Sequence, residues 1–265
     1  MPMSETTDGT GQQPAATHPA ASLIVFRNGP SGPELLMIRR SDQLAFGAGA
    51  TVFPGGRVDP DDVTLARTLS GDPDWNAARI ACVRETLEET GLFVGVTGYV
   101  DPAIAGAARA SLAKGTSLGA VLDEHGLALD VEDFVPFARW HPPSGVNRRF
   151  DTRFLIADIG TGAVTLSADG TETSSQFWAT AADLLSMGSR DEIRLMFPTR
   201  ANLIRLDRLG DFSAARADSE LQDVSPVSAF VEERDGERWL CVEPGHGYDG
   251  IGQPLVSAIR GETQQ

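Results

Sequence analysis

The stretch that decides the fold is Arg84-Glu85-Thr86-Leu87-Glu88-Glu89-Thr90-Gly91-Leu92, in a chain of 265 residues. At roughly 100° per residue on a helix, its three glutamates fall within an arc of about 100°, and Leu87 lies on the opposite side with Ile80 and Val83. One face of the helix can therefore pack in a core while the other presents carboxylates. Three adjacent carboxylates repel each other unless a cation neutralises them, and oxygen ligands suit Mg²⁺ or Mn²⁺. The pattern predicts a metal site.

A solvated helix face is the simpler alternative, because Arg84 and Glu88 at i,i+4 would also form an ordinary surface ion pair. Two neighbouring features favour the metal site. Ala81 lies one turn before Glu85, and its small side chain leaves room for a metal and a ligand. Upstream, Val52-Phe53-Pro54-Gly55-Gly56 is typical of a strand that ends in a double-glycine loop, where the backbone can approach a ligand closely.

Together, Pro54-Gly55-Gly56 and the run from Arg84 to Leu92 resemble the Nudix box. That motif is Gly, five residues, Glu, seven residues, then Arg-Glu-aliphatic-x-Glu-Glu-x-Gly-aliphatic. The second half matches except at Thr86, which replaces an aliphatic residue. Counting back eight residues from Arg84 puts the family's single glutamate at Asn76, and the spacing from Gly56 to Arg84 is 28 residues rather than 14. Three aspartates are candidates to replace the missing glutamate: Asp59, Asp61 and Asp62.

The Nudix resemblance implies an α/β fold, an α/β/α sandwich with a mixed sheet and inserted helical segments. The composition of residues 1–20, which are rich in Thr, Gly, Gln, Pro and Ala, predicts a disordered tail. The Nudix domain is then expected over residues 21–262, with insertions at about 57–75 and 101–130. The helix that carries the acids is expected from about residue 76 to 90, with an aspartate of Gly71-Asp72-Pro73-Asp74 as its cap and Gly91 ending it in a left-handed conformation.

The same resemblance implies the roles of the site residues. The metal ligands would be the carboxylates of Glu85, Glu88 and Glu89 and the backbone carbonyl of Gly55. Arg84 would orient the acids, and water would attack a phosphoanhydride bond of the substrate. Glu85 is one candidate for the base. Glu172, which precedes the predicted strand Gln176-Phe177-Trp178, is another, although a solvated loop acid is an equal alternative.

Composition limits the partners. The net charge of −15 argues against nucleic acid, since phosphate neutralisation needs a basic face. A small phosphorylated substrate stays compatible with that charge, because a metal and a few arginines reverse its sign locally. No stretch reaches the roughly 18 apolar residues of a membrane span. Two cysteines give no disulfide framework and suit a reducing compartment, so a cytoplasmic location is expected. A homodimer is expected from the family resemblance alone.

The segments Leu35–Ser41 and Asn147–Phe154, with the long insertion before the acidic helix, resemble the peroxisomal-type coenzyme A diphosphatase branch of the family. Ala45 departs from this pattern, because an arginine stands at that position in the CoA motif. Candidate phosphate ligands are Arg39, Arg40, Arg148, Arg149 and Arg153, although arginines of this kind often lie on solvated strand edges. Three functions follow: hydrolysis of CoA or acyl-CoA, hydrolysis of NADH, an ADP-sugar or another nucleotide conjugate, and nucleotide binding for regulation without catalysis.

Overall fold

The structure is a computed structural model that describes residues 17–44, 47–142, 149–161, 166 and 172–260. Its strands are β1 (Thr17–Gly29), β2 (Gly32–Arg40), β3 (Ala50–Val52), β4 (Gly55–Arg57), β5 (Val96–Thr97), β6 (Ala128–Leu129), β7 (Val135–Trp140), β8 (Arg149–Asp158), β9 (Thr173–Ala179), β10 (Arg194–Leu195), β11 (Pro226–Val227), β12 (Ala229–Arg234), β13 (Glu237–Val242) and β14 (Gly252–Pro254). Its helices are α1 (Pro60–Ala66), α2 (Pro73–Thr90), α3 (Pro102–Leu112), α4 (Leu118–His125), α5 (Ala181–Ser189), α6 (Phe197–Leu209), α7 (Phe212–Leu221) and α8 (Leu255–Arg260).

A mixed sheet forms the centre of the molecule. Its strand order is β10-β3-β2-β1-β8-β7-β11, and β4 pairs with β1 while β9 pairs with β2. The β1–β2 hairpin is antiparallel, whereas β1 runs parallel to β8. A small sheet, β12-β13-β14, and the pair β5-β6 lie outside it.

Apolar side chains pack on both faces of the central sheet. On one face, Leu23, Val25 and Leu36 pack with α2 and with apolar residues of α1, α3 and α4. On the other face, Ile24 and Met37 pack with α5, α6 and α7. Neighbouring residues of one strand point to opposite faces, so β1 and β2 contribute to both cores. The α/β/α sandwich with a mixed sheet is therefore confirmed.

Helix α2 has well-defined ends. The Asp72 carboxylate accepts hydrogen bonds from the backbone N–H groups of Asp74 (2.9 Å) and Trp75 (3.0 Å). Pro73 occupies the first turn, where a missing N–H costs nothing. At the other end Gly91 takes a left-handed conformation, with φ of 73°. Both caps were predicted from the sequence, but the helix begins three residues earlier than expected because the Asp72 cap places its start at Pro73.

Two segment boundaries differ from the sequence prediction. Residues 17–20, assigned to the disordered tail, begin β1, because their backbone pairs with β8 and with β4. Arg57, assigned to the first insertion, ends β4, and part of the segment assigned to that insertion forms the short helix α1. Residues 1–16 of the predicted tail lie outside the described residues. Across the part of the chain that is described, no helix combines the length and apolar character needed to cross a membrane.

Candidate active site

The last two turns of α2 pack against the glycine loop at the start of β4. Glu89 is 3% exposed, and its carboxylate accepts a hydrogen bond of 2.8 Å from the backbone N–H of Gly55. Glu85 lies against the next residue, since a Cβ on Gly56 would come within 2.3 Å of Glu85 Oε1. A Cβ on Gly55, whose φ is 155°, would meet the Ala21 carbonyl oxygen at 2.3 Å. Only glycines allow the helix and β1 to approach this loop so closely.

Arg84 holds the acidic face together from one side. Its guanidinium donates hydrogen bonds to Glu85 Oε1 (2.8 Å), to Glu88 Oε2 (3.0 Å) and to the backbone oxygen of Arg57 (2.8 Å). The Arg84 side chain is only 10% exposed, so these charge-assisted bonds are shielded from water. Arg84 therefore ties two of the glutamates to the strand that carries the glycine loop.

Asp62, one of the three aspartates named as replacements for the glutamate that is missing at Asn76, is the main partner of Arg84. The Asp62 carboxylate is buried, and it accepts hydrogen bonds from Arg84 Nε (3.2 Å) and Arg84 Nη2 (2.8 Å) in a two-pronged pair. The same carboxylate accepts from the backbone N–H of Asp59 at 2.9 Å, which fixes it at the start of α1. Asn76 instead donates to the backbone oxygen of Ser70 and accepts from Arg79.

The spacing of the motif could have identified Asp62. Counted forward from Gly56 rather than back from Arg84, the family's glutamate falls on Asp62, and the insertion follows it. The first half of the box is thus present with an aspartate in place of the glutamate.

Burial raises the pKa values of the three glutamates. It raises the pKa of Glu85 to about 7, against the opposing charge of Arg84. It raises the pKa of Glu89 well above the usual range, and the charge of Glu85 adds to this shift. Burial also raises the pKa of Glu88, although Arg84 works against it. Burial thus disfavours the ionised form of the three acids, and a bound cation would favour it by neutralising the charge that Arg84 leaves uncompensated.

The residues present fit a divalent metal in their chemistry. Carboxylate and carbonyl oxygens are the ligands that Mg²⁺ and Mn²⁺ prefer. Glu85 and Glu88 contact Arg84, and Glu89 contacts the backbone of Gly55. Among the described residues, no group of three His, Cys, Asp or Glu side chains is arranged as a set of metal ligands. Glu85 also lies against the loop at Gly56, so metal binding by all three carboxylates would require Glu88 to turn from Arg84 toward the loop.

Two further residues named from the sequence, Arg40 and Glu172, are near enough to Glu89 for their charges to act on it. The charges of Arg40 and Glu172 both act on the pKa of Glu89, the arginine lowering it and the glutamate raising it. Glu172 is exposed, and its backbone oxygen accepts a hydrogen bond of 2.7 Å from the N–H of Ser41, the residue that follows Arg40. Both groups therefore lie within electrostatic range of Glu89.

Two of the other candidate arginines, Arg39 and Arg153, contact carboxylates outside the glutamate cluster. Arg39 lies on the opposite face of β2 from Arg40 and faces Asp42 at 3.5 Å. Arg153 is buried, and its guanidinium lies 2.9 Å from Asp74 and 3.8 Å from Asp151, so carboxylates of the chain already hold it. Arg149 contributes backbone to β8, and Arg148 lies outside the described residues. Ala45 lies outside them as well.

This arrangement of an acid-rich helix end packed on a double-glycine loop within an α/β/α sandwich defines a class of hydrolases, and comparisons with known proteins identify it. The profile of the "NUDIX domain" matches residues 16–154. The crystal structure of a NUDIX hydrolase from Alicyclobacillus acidocaldarius superposes with a TM-score of 0.67 at 30% identity, covering 77% of this chain and 96% of that one. The chain therefore belongs to the Nudix hydrolase family.

Curated relatives match over a shorter region. "Uncharacterized Nudix hydrolase NudL" of Yersinia pestis (strain Pestoides F) is 35% identical over 98 residues, which are 37% of this chain and 49% of the relative. The protein of the same name from Yersinia pseudotuberculosis serotype O:1b (strain IP 31758) matches with the same figures. The chain thus spans about half the length of the curated relatives it matches.

Proposed function

We propose that this protein is a metal-dependent hydrolase that cleaves a phosphoanhydride bond in a nucleoside diphosphate linked to another moiety. The observation that carries the proposal is the packing of Glu85 and Glu89, both largely buried, against the Gly55–Gly56 loop, where Arg84 pairs with Glu85. Nudix hydrolases generally use divalent metal ions, which supports Mg²⁺ or Mn²⁺ as the missing charge.

Each residue has a distinct part in this proposal. Glu85, Glu88, Glu89 and the carbonyl of Gly55 would hold the metal, which when bound neutralises charge on the phosphoryl oxygens and lowers the pKa of bound water. Arg84, fixed by Asp62, keeps the carboxylates on one face of α2. Glu172 is proposed to accept or orient the proton of the attacking water, because its carboxylate is exposed beside Glu89. Arg40 is proposed to bind a substrate phosphate next to them.

Coenzyme A or acyl-CoA is the substrate that we propose first, with 3′,5′-ADP and 4′-phosphopantetheine or its acyl form as products. The resemblance of Leu35–Ser41 to the CoA diphosphatase branch supports it, together with the position of Arg40 beside the acidic site. NADH, an ADP-sugar or another nucleotide conjugate is the alternative, since Ala45 departs from the CoA motif. A regulatory nucleotide-binding module is the third candidate, and the retention of all three glutamates weighs against it.

The proposal extends to the surroundings of the enzyme. We propose that the enzyme acts in the cytoplasm as a homodimer. Its Nudix domain is proposed to cover residues 21–262 together with the start of β1. A small-molecule substrate rather than nucleic acid is proposed as the partner, consistent with the net charge of −15.

Turnover of a substrate panel tests the proposal. The protein is incubated with Mg²⁺ or Mn²⁺ and CoA, NADH, ADP-ribose or diadenosine polyphosphates, and the products are resolved by mass. We expect metal-dependent cleavage that Glu89→Gln abolishes while the fold is kept, and that Glu124→Gln, an exposed glutamate on α4, leaves intact. Cleavage unchanged by Glu89→Gln would contradict the site assignment. Micromolar binding of one compound without turnover of any would favour the regulatory module.

A further inference from the structure

Two partly buried arginines of the central sheet, Arg40 and Arg194, have no ion-pair partner among the described residues. Within the described part of the chain, neither Arg40 nor Arg194 lies within 4.0 Å of a carboxylate, and each has a buried Nε without a hydrogen-bond partner. Elsewhere in the sheet, Arg27, Arg139 and Arg153 each contact an acidic side chain, and Arg57, which is exposed, contacts His18. A partly buried guanidinium without a counterion is costly, and it is unusual in a chain with a net charge of −15. An anion from outside the chain would satisfy both groups.

Strand register places the two arginines on the same face of the sheet. Arg39 pairs with Thr51 on β3, and Leu195 on β10 pairs with the same Thr51. Leu195 packs with the α5–α6 core, and a Cβ on Gly188 of α5 would lie 2.8 Å from it. Because adjacent residues of a strand point to opposite faces, Arg40 and Arg194 leave the sheet on the other side.

That other side is the face of the acidic helix. Leu36 points to the same face of β2 as Arg40, because their positions differ by an even number of residues, and it packs in the core formed with α2. A bulge interrupts the pairing of β2 with β9 here, but the extra residue is Ser174 of β9, so the alternation of β2 is continuous. Both arginines therefore face the layer that holds Glu89.

The distance between the two arginines suits one substrate with two anionic groups. Arg194 pairs with Ala50 of β3, and Ala50 lies opposite Arg40 because the neighbouring pair in the antiparallel β2–β3 ladder is Arg39 with Thr51. Strand β3 therefore separates the two arginines, and their backbones are two strand spacings apart, about 10 Å. A Cβ on Gly47 would lie 3.5 Å from Arg40 Nε and 3.4 Å from the sulfur of Met196, so Arg40 and Met196, which follows Arg194 by two residues, both lie next to Gly47. Side chains of this length reach toward each other over such a gap.

We propose that Arg194, together with Arg40, forms a second anion subsite that binds a phosphate monoester carried by the substrate in addition to its diphosphate. Arg40 is the nearer to the glutamates and binds at the diphosphate side, whereas Arg194 binds the additional phosphate toward the β10 edge. Arginine suits this task because its planar group forms paired hydrogen bonds to phosphate oxygens. The inference rests on the proposed function, and it names the substrate class as nucleoside diphosphate conjugates with a further phosphate.

Two substrates that differ in a single phosphate test the subsite. Steady-state hydrolysis of CoA and of 3′-dephospho-CoA is measured with Mg²⁺ for the wild type, Arg194→Ala, Arg194→Lys and the control Arg238→Ala, an exposed arginine of β13. We expect Arg194→Ala to raise KM for CoA by about 10- to 100-fold with little change in kcat, the size typical of hydrogen bonds to charged groups, and to leave 3′-dephospho-CoA unaffected. Arg194→Lys should recover part of the loss, and Arg238→Ala should behave as the wild type.

An equal effect of Arg194→Ala on both substrates, or none on either, would overturn the subsite. Binding of adenosine 3′,5′-bisphosphate and of AMP, measured by calorimetry on the intact protein, separates this inference from the proposed function. If the wild type hydrolyses neither CoA compound, the hydrolase proposal fails for them. Tighter binding of the bisphosphate than of AMP, lost in Arg194→Ala, would still support the subsite. Equal affinities would refute it.

Discussion

Replacing Asp62 by alanine is expected to destabilise the protein by about 4 kcal/mol. The change removes both hydrogen bonds that the buried carboxylate accepts from Arg84, at 2.8 and 3.2 Å, and leaves a largely buried guanidinium without its main partner. Breaking such a pair typically costs 3–5 kcal/mol. Arg84 keeps Glu85 and Glu88, so about 3 kcal/mol is appropriate for this term. Loss of the bond from the Asp59 N–H at the start of α1 adds about 1 kcal/mol.

Urea denaturation and thermal melting measure this effect. For a domain of this size, about 4 kcal/mol corresponds to a fall in Tm of roughly 10 °C. Asp61→Ala is the matched control, because Asp61 is the exposed neighbour in the same helical turn and should cost less than about 1 kcal/mol. Equal destabilisation by Asp61→Ala and Asp62→Ala would refute the assignment of Asp62 as the anchor of Arg84.

Three further outcomes are expected. Gly55→Ala should abolish the metal-induced rise in Tm or unfold the protein, because its Cβ would lie 2.3 Å from a backbone oxygen of β1, whereas Gly106→Ala, with nothing within 4 Å, should be tolerated. Burial raises the pKa of Glu85 from 4.5 to about 7, so the metal-free fold loses stability as pH rises through that window. The increase in Tm caused by Mg²⁺ should therefore grow from pH 6 to pH 8, because metal binding displaces fewer protons at the higher pH. An increase in Tm that does not change with pH would contradict this. Tyr248→Phe should lower the free energy of unfolding, measured in urea, by about 1–3 kcal/mol, because the buried hydroxyl accepts from the Trp140 indole N–H and donates to the Asn202 amide oxygen. Tyr99→Phe should leave this free energy unchanged, because Tyr99 is exposed.

Local chemistry made much of the fold predictable. The two caps of α2 were anticipated, although its first residue was not, because Asp72 and Gly91 act within a few residues of the helix they cap. The start of β1 was missed, because Thr17–Ala20 is polar or small and is held by pairing with β4 and β8, which lie far away in sequence. Helix α7 was missed as well. It alternates polar and small residues and depends on packing against the sheet rather than on a strong apolar stripe.

The site was predictable where the residues are close in sequence and not where they are distant. Glu85, Glu88 and Glu89 lie on one helix, so the 3.6-residue period placed them together. Asp62 contacts Arg84 across 22 positions, and the insertion between them hid the correspondence. Arg39 and Arg40 are adjacent, and only the pairing of β2 with its neighbours shows which of them faces the glutamates.

Binding of Mn²⁺, followed by electron paramagnetic resonance, tests the central claim most directly because it requires no knowledge of the substrate. The wild type is compared with a variant in which Glu85, Glu88 and Glu89 are all replaced by glutamine, and with Glu124→Gln. Because burial already favours the neutral form of these acids, the triple variant should stay folded, which circular dichroism checks. The account predicts saturable binding of Mn²⁺ to the wild type and to Glu124→Gln, and its loss from the folded triple variant. Undiminished binding to that variant would contradict the account.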